Sequence, residues 1–171
     1  MPFSNTLRLL TVLSASVLLF GCTILGQSEI DAPPAEAVAV QSLHAEGSMI
    51  FQCSYDDKGF YWAFIEPVAN LWDDTKKPRR LVAILEAGFT VRYLDGSVLY
   101  SRIIGTNKSD SNVNLPNALF ETIAPPTGAQ KGIRWMRRTQ AQGGMPLTRC
   151  SPSQRGERLR IPFTARWVLY R

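Results

Sequence analysis

Histidine and cysteine are scarce in this chain: His44 stands alone, and the cysteines are Cys22, Cys53 and Cys150. These shortages exclude a good deal of chemistry. A Ser-His-Asp or Cys-His site needs a base held beside its nucleophile. His44 is the sole candidate and lies near the N-terminal linker, where an exposed side chain is expected. A zinc site usually draws on several His or Cys ligands, so no metal and no other cofactor is expected. Phosphate loops are missing too: Gly143-Gly144 lacks the following Lys-Ser/Thr and the strand-to-helix setting of such a loop. Beyond the N-terminus, charges and prolines interrupt every apolar stretch. Helix signals are few, whereas 11 prolines and 12 glycines favour short strands and turns.

The N-terminus reads as a targeting segment. Arg8 is the sole charge before Cys22, and an apolar run from Leu9 to Phe20 follows it, broken by Thr11, Ser14 and Ser16. About a dozen residues is the length of a signal-peptide core and too short to span a bilayer. The run closes on Leu19-Phe20-Gly21-Cys22. This resembles the bacterial lipobox, in which a small residue precedes a cysteine that is acylated and becomes the new N-terminus. The expectation is a lipoprotein signal peptide over residues 1–21 and a lipid on Cys22. Buried acyl chains contribute about 0.8 kcal/mol per methylene, so several hold far more firmly than one. In bacteria with two membranes an aspartate after the cysteine is the usual inner-membrane retention signal; Thr23 is not, which implies the outer membrane. The expected setting is the bacterial cell envelope, with the membrane as one partner and no nucleic acid as another.

The full chain holds 19 Lys and Arg against 14 Asp and Glu. Losing residues 1–21 removes Arg8 and no acid, which leaves 18 against 14, a formal +4. A mildly basic surface suits polyanions such as lipid head groups or surface polysaccharide. With Cys22 lipidated, Cys53 and Cys150 form an even pair in an oxidising compartment, and a disulfide between them is expected. In the chain-entropy model a closed loop of about 100 residues is worth about 4.7 kcal/mol.

Residues 22–42 read as a lipidated cysteine and a flexible tether. Asp31-Ala32-Pro33-Pro34-Ala35-Glu36-Ala37 has little to bury, and adjacent prolines favour extended chain. A short helix near Ala35–Val40 is the alternative there. Residues 43–171 then form a β-rich domain. Met49, Phe51 and Cys53 share one strand face, and Phe60, Trp62 and Phe64 share another. Asp56-Asp57-Lys58-Gly59 between them is a hairpin turn. Leu81–Leu85, Phe89–Leu94 and Val98–Ile104 alternate as strands do, with Asp95-Gly96 as a second hairpin signal. Ile161, Phe163, Ala165, Trp167 and Leu169 line one face of a last strand. Pro162 lacks a donor, so that strand should begin at an edge or a bulge. Pro67–Leu71 reads as one helical turn and Asn117–Ile123 as a short helix. The fold class expected is mainly β: a single antiparallel β-sandwich or partly closed β-barrel with one or two short helices and one disulfide.

The landmarks fall in a recognisable order. Phe51-Gln52-Cys53 comes first, then Trp62-x-Phe64-x-x-Pro67-x-Ala69-x-Leu71, then Asp95-Gly96-Ser97. Ile133, Arg138-Thr139 and Gly143-Gly144-x-Pro146-x-x-x-Cys150 follow, and Ile161-Pro162-Phe163-Thr164-Ala165 leads to an aromatic end. Over residues 43–170 the chain resembles domain-of-unknown-function family 3455, found in exported bacterial and fungal proteins. The family carries no settled activity, so the resemblance implies architecture. Its two cysteines match Cys53 and Cys150, which implies the same disulfide. A His-x-x-Gly-Pro-x-Trp stretch of the family is replaced here at Leu85, Gly88, Phe89 and Val91, and a Pro-Trp motif reads Pro116-Asn117. The resemblance thus implies a member without that histidine and those tryptophans.

Two kinds of site remain. A glycosidase needs two facing acids, one with a raised pKa; Glu66, Asp73, Asp74, Glu86 and Asp95 are candidates by type. The aspartates sit in turns and loops, and none of the five is assigned a catalytic role. The second kind is a pair of basic clusters: Lys76, Lys77, Arg79 and Arg80, and Arg134, Arg137 and Arg138 around Trp135. If they converge, their side chains would grip phosphate or carboxylate. The first expectation is therefore a non-enzymatic binding or interaction domain for an envelope polymer, anionic polysaccharide, lipid or protein. The alternatives are a carboxylate-dependent hydrolase and a purely structural envelope lipoprotein.

Overall fold

The period-two alternation carries through the whole domain as eight strands, and the last of them returns to the first. The computed structural model describes residues 30–75 and 77–171. The strands are β1 (Ala39–Asp56), β2 (Gly59–Asp73), β3 (Arg80–Glu86), β4 (Thr90–Tyr93), β5 (Val98–Asn107), β6 (Asn117–Ile123), β7 (Trp135–Gly143) and β8 (Arg158–Tyr170). Each pairs antiparallel with its neighbours in sequence, and β8 pairs with β1, so the sheet closes as an up-and-down barrel. Closure removes the sheet edges that an open sandwich would expose. The helical content among the described residues is two single 3-10 turns, Ala87–Phe89 and Pro152–Gln154.

Two segments read as helical from sequence are strands. Pro67–Leu71 lies within β2, where Ala69 and Leu71 face inward and Val68 faces out. Asn117–Ile123 is β6, with Ala118 and Phe120 fully buried. In each, short-range pattern is ambiguous between helix and strand, and the partners on both sides decide. The expected domain start at 43 falls inside β1, which begins at Ala39.

The barrel is filled rather than hollow. Trp167, Phe120, Leu43, Met49, Leu71, Leu85, Leu99, Met136 and Leu169 are all below 2 % exposed. Ala45, Ala69, Ala83, Ala118 and Ala165 face the same interior and make room for them. Alternating small and large side chains is how a narrow barrel fills its bore. β8 shows the logic cleanly: Phe163, Ala165, Trp167 and Leu169 are buried while Thr164, Arg166, Val168 and Tyr170 are partly exposed. Pro162 pairs with Ser48 of β1, one residue past the Gly143–Phe163 pairing that ends β7, so its missing donor faces no strand.

The two ends of the barrel differ. One end carries the β1–β2 hairpin, the Ala87–Phe89 turn and the long β5–β6 and β7–β8 connections. There Cys53 and Cys150 form the expected disulfide, with Cα atoms 5.8 Å apart. Backbone bonds from Cys53 to Glu157 and from Gly156 back to Cys53, both 2.9 Å, tie the same connection down. Gly143 and Gly144 have φ of 75° and 92°, and a Cβ at them would meet the Pro162 carbonyl at 2.5 Å and Leu115 at 2.6 Å. Glycine is therefore required where the chain leaves β7. The other end carries the start of β1, the β2–β3 and β4–β5 connections, the β6–β7 connection and the C-terminus.

Residues 30–38 do not behave as a free tether. They cross the outer wall as a strap. The Ile30 carbonyl fills the space where a side chain at Gly105 of β5 would sit. Asp31 is wholly buried and pairs with Arg137 of β7 at 2.9 Å. Val38 and Arg171 then exchange two backbone bonds of 3.0 Å beside the start of β1. Cys22 and the expected signal peptide lie outside the described residues.

Candidate functional site

The polar end of the barrel is built by its β6–β7 connection, residues 124–134, which folds as a tongue across the mouth. Gly128 and Gly132 take φ of 86° and 77°, which glycine adopts without strain, and bracket its tip. Lys131 N–H donates to Gly128 O and Ile133 N–H to Gln130 O, at 3.1 and 3.2 Å. The guanidinium of Arg171 grips the tongue from below, donating to the carbonyls of Lys131 and Ala129 at 3.1 and 2.9 Å. Gln130 is thereby held inward with 6 % of its surface exposed.

Ala129 and Gln130 divide the mouth into two adjoining cavities. One, of about 410 Å³, lies towards β1 and β2 and is lined by Gln41, Ser42, Asp73 and Ile133. The other, of about 530 Å³, lies towards β3 and β4 and is lined by Gln41, Arg80, Leu81, Tyr93 and Asp95. Small-ligand sites run from about 300 to 1,000 Å³ and are common in barrel mouths. The Tyr93 hydroxyl donates to Gln41 Oε1 at 3.1 Å. Burial first, and the Asp95 charge second, raise the pKa of this phenol and keep its proton on.

Asp73 and Asp95 are turn residues first. Asp73 accepts from the Thr75 N–H and hydroxyl, and Asp95 accepts from the same two groups of Ser97. The Ser97 hydrogen bonds hold the Asp95 carboxyl below its ordinary range, the opposite of what a general acid needs. Of the other candidate acids, Glu86 is engaged by Arg92. Among the described residues no group of three or more His, Cys, Asp and Glu could hold a metal ion.

The basic clusters come together only in part. Lys77, Arg79 and Arg80 lie at the β2–β3 connection and Arg134 lies just before β7, so all four belong to the tongue end; Lys76 lies outside the described residues. Lys77, Arg80 and Arg134 are exposed and make no ion pair among the described residues, and the Arg134 guanidinium sits 5.0 Å from the Trp135 ring centre. Arg79 is committed elsewhere: it forks onto Glu46 and covers Trp72 at 4.5 Å. That hydrogen bonding lowers the Glu46 pKa and raises that of Arg79.

Strand alternation removes the other two arginines from the rim. Arg137 faces outward but is engaged by Asp31 under the strap. Arg138 faces inward and is 3 % exposed. It donates twice to the Pro116 carbonyl and lies about 6 Å from the rings of Phe89, Phe120 and Trp167. Burial lowers its pKa to about 10. His44 sits on the outer wall, 3.4 Å from Glu46.

Gln41, Tyr93, Gln130 and Arg171 were not among the candidates from sequence. Gln130 carries a faint signal: a polar residue in a glycine-bracketed segment that precedes a buried Ile133. The other three look like ordinary strand ends. No family model matches this chain, and no curated protein or solved structure matches it.

Proposed function

We propose that this chain is an exported lipoprotein of the bacterial cell envelope, acylated at Cys22 and carried on the outer membrane, whose barrel binds an anionic envelope polymer without catalysis. The observation that carries the binding half is the rim of Lys77, Arg80 and Arg134, which are exposed and make no ion pair among the described residues while the other arginines of both clusters are engaged. Exposed cations on one end give a field that steers and holds polyanions. The signal-like run Leu9–Phe20 and the Gly21-Cys22 junction support the anchor. The Gly143-Gly144-x-Pro146-x-x-x-Cys150 pattern supports kinship with domain-of-unknown-function family 3455. Binding is favoured over hydrolysis because Asp73 and Asp95, the acids of the mouth, are spent on turns.

The binding half is tested by co-sedimentation with polygalacturonate at rising salt. Binding should weaken steeply with ionic strength and be lost in the double variant Lys77→Glu, Arg134→Glu. Undiminished binding by that variant would falsify the rim assignment. The anchor is tested separately: Cys22→Ser should move the protein from the membrane to the soluble fraction and abolish incorporation of labelled palmitate.

A further inference from the structure

The wall between the two mouth cavities is formed in part by Gln130, which lines both of them. Gln130 is 6 % exposed as a residue, but its carboxamide is not among the buried polar atoms left without a partner, which among the described residues are Asp31 Oδ1 and the indole nitrogens of Trp72 and Trp167. Its polar atoms are not sealed in, because Gln130 lines both cavities. The tongue is also not loose, since Arg171 fixes the carbonyls on either side of Gln130. The amide is thus a fixed donor and acceptor aimed into an open mouth.

The larger cavity adds further polar groups, among them the Asp95 carboxylate, which is engaged by Ser97 and can accept from a ligand hydroxyl. Gln41 gives its Oε1 to the Tyr93 hydroxyl, which leaves its NH₂ for a ligand. Arg80 stands on the same cavity with no partner of its own. Leu81 and the Tyr93 ring supply apolar wall. Two carboxamides can exchange bonds with neighbouring hydroxyls, a guanidinium takes a carboxylate or phosphate, and an apolar wall takes the C–H face of a ring. A lipid tail is a poor fit, because Trp167, Phe120 and Met136 fill the bore below and leave no apolar channel.

We propose that this cavity binds a single acidic sugar residue, the end or branch of the polymer held by the rim. The ring hydroxyls pair with Gln130 and Gln41, and the uronate or phosphate ester pairs with Arg80. Arg171 is a positioning residue that holds Gln130 in place. The inference rests on the anionic-polymer reading and deepens it, and it fails separately from it.

The test uses the full acylated protein in detergent micelles, titrated calorimetrically with trigalacturonate, with neutral maltotriose and with inorganic phosphate. Saturable binding of trigalacturonate is expected, with maltotriose and phosphate each weaker by at least about tenfold, the scale of one lost charge-assisted hydrogen bond. Gln130→Glu keeps the shape and adds a repelling charge. It should weaken trigalacturonate by about tenfold or more with the thermal midpoint unchanged, and Gln130→Leu should do likewise. Equal affinity of wild type and Gln130→Glu overturns the proposal, as does equal affinity for the neutral trimer. If the long polymer binds and is lost with Lys77→Glu, Arg134→Glu while trigalacturonate never binds, the cavity fails and the rim stands. If trigalacturonate binds but the polymer does not, the rim fails and the cavity stands.

Discussion

The disulfide end and the tongue end of this barrel solve the same problem in opposite ways. At the disulfide end an aromatic row, Phe51, Phe64, Phe89, Phe120 and Trp167, runs from the outer wall to the core with successive ring centres 5.0–5.8 Å apart. Cys53–Cys150 then staples the last long connection across it. Polar groups there are spent internally, as with Asn114 Oδ1, which accepts from Gly143 N–H at 2.7 Å. At the tongue end the closing segment brings in a glutamine instead of an apolar side chain, and the closure stays incomplete. The contrast teaches where to look for function. At the disulfide end Asn114 is paired internally, whereas at the tongue end Gln130 faces two cavities.

Substitutions can break or sharpen this contrast. The largest effect is expected at the strap that runs along the wall between the two ends. Asp31→Ala removes the wholly buried acid that ties residues 30–38 to Arg137, and breaking a buried pair costs roughly 3–5 kcal/mol. Urea unfolding measures it. A loss no larger than that of an exposed ion pair would show that the strap is not held by Asp31.

Next comes the staple. The double variant Cys53→Ser, Cys150→Ser should lose about 2–5 kcal/mol. Hydrogen exchange should rise over residues 144–157 and stay unchanged over the tongue. Equal loosening of both ends would erase the distinction between them. Gln130→Leu should leave stability unchanged, because the amide it replaces faces the cavities and is not a sealed-off polar group, while binding falls. A marked loss of stability would mean that the amide serves the fold.

The smallest effect is electrostatic. Asp95 has a folded pKa below its unfolded value because of Ser97. Its contribution is present above the unfolded pKa near 4 and is lost as pH falls through the lower, folded value. A thermal-midpoint profile from pH 7 to pH 3 should therefore fall slightly less for Asp95→Asn than for wild type. Identical profiles would show that the Ser97 bonds do not favour the charged form.

The β class, the disulfide and most strands were legible because they rest on local or arithmetic signals. Alternation along β8 is visible in Ile161 to Leu169, and two cysteines remaining after Cys22 leave one pairing. Pro67–Leu71 and Asn117–Ile123 were misread because short apolar segments fit either period until their neighbours are known. The basic clusters were legible as charge but not as surface. The same alternation that predicts a strand sends Arg138 inward and Arg137 outward, yet which parity faces the core depends on register with β6 and β8. That Asp31, in a segment with little to bury, would reach Arg137 required the strap's path.

The scarcity of histidine and cysteine narrows the chemistry open to this chain. One histidine and three cysteines, two of them joined in a disulfide, argue against a base-nucleophile pair and a zinc site at any fold. The sequence by itself also determined the strand content and the expected staple, since period and parity are local properties of the chain. Only the tertiary structure decided that the sheet closes into a filled barrel, and which cations remain free. It alone placed Gln130, Gln41, Tyr93 and Arg80 around one mouth. Closure depends on β8 meeting β1 across the full length of the domain, and a site drawn from four separate elements exists only once that pairing has formed.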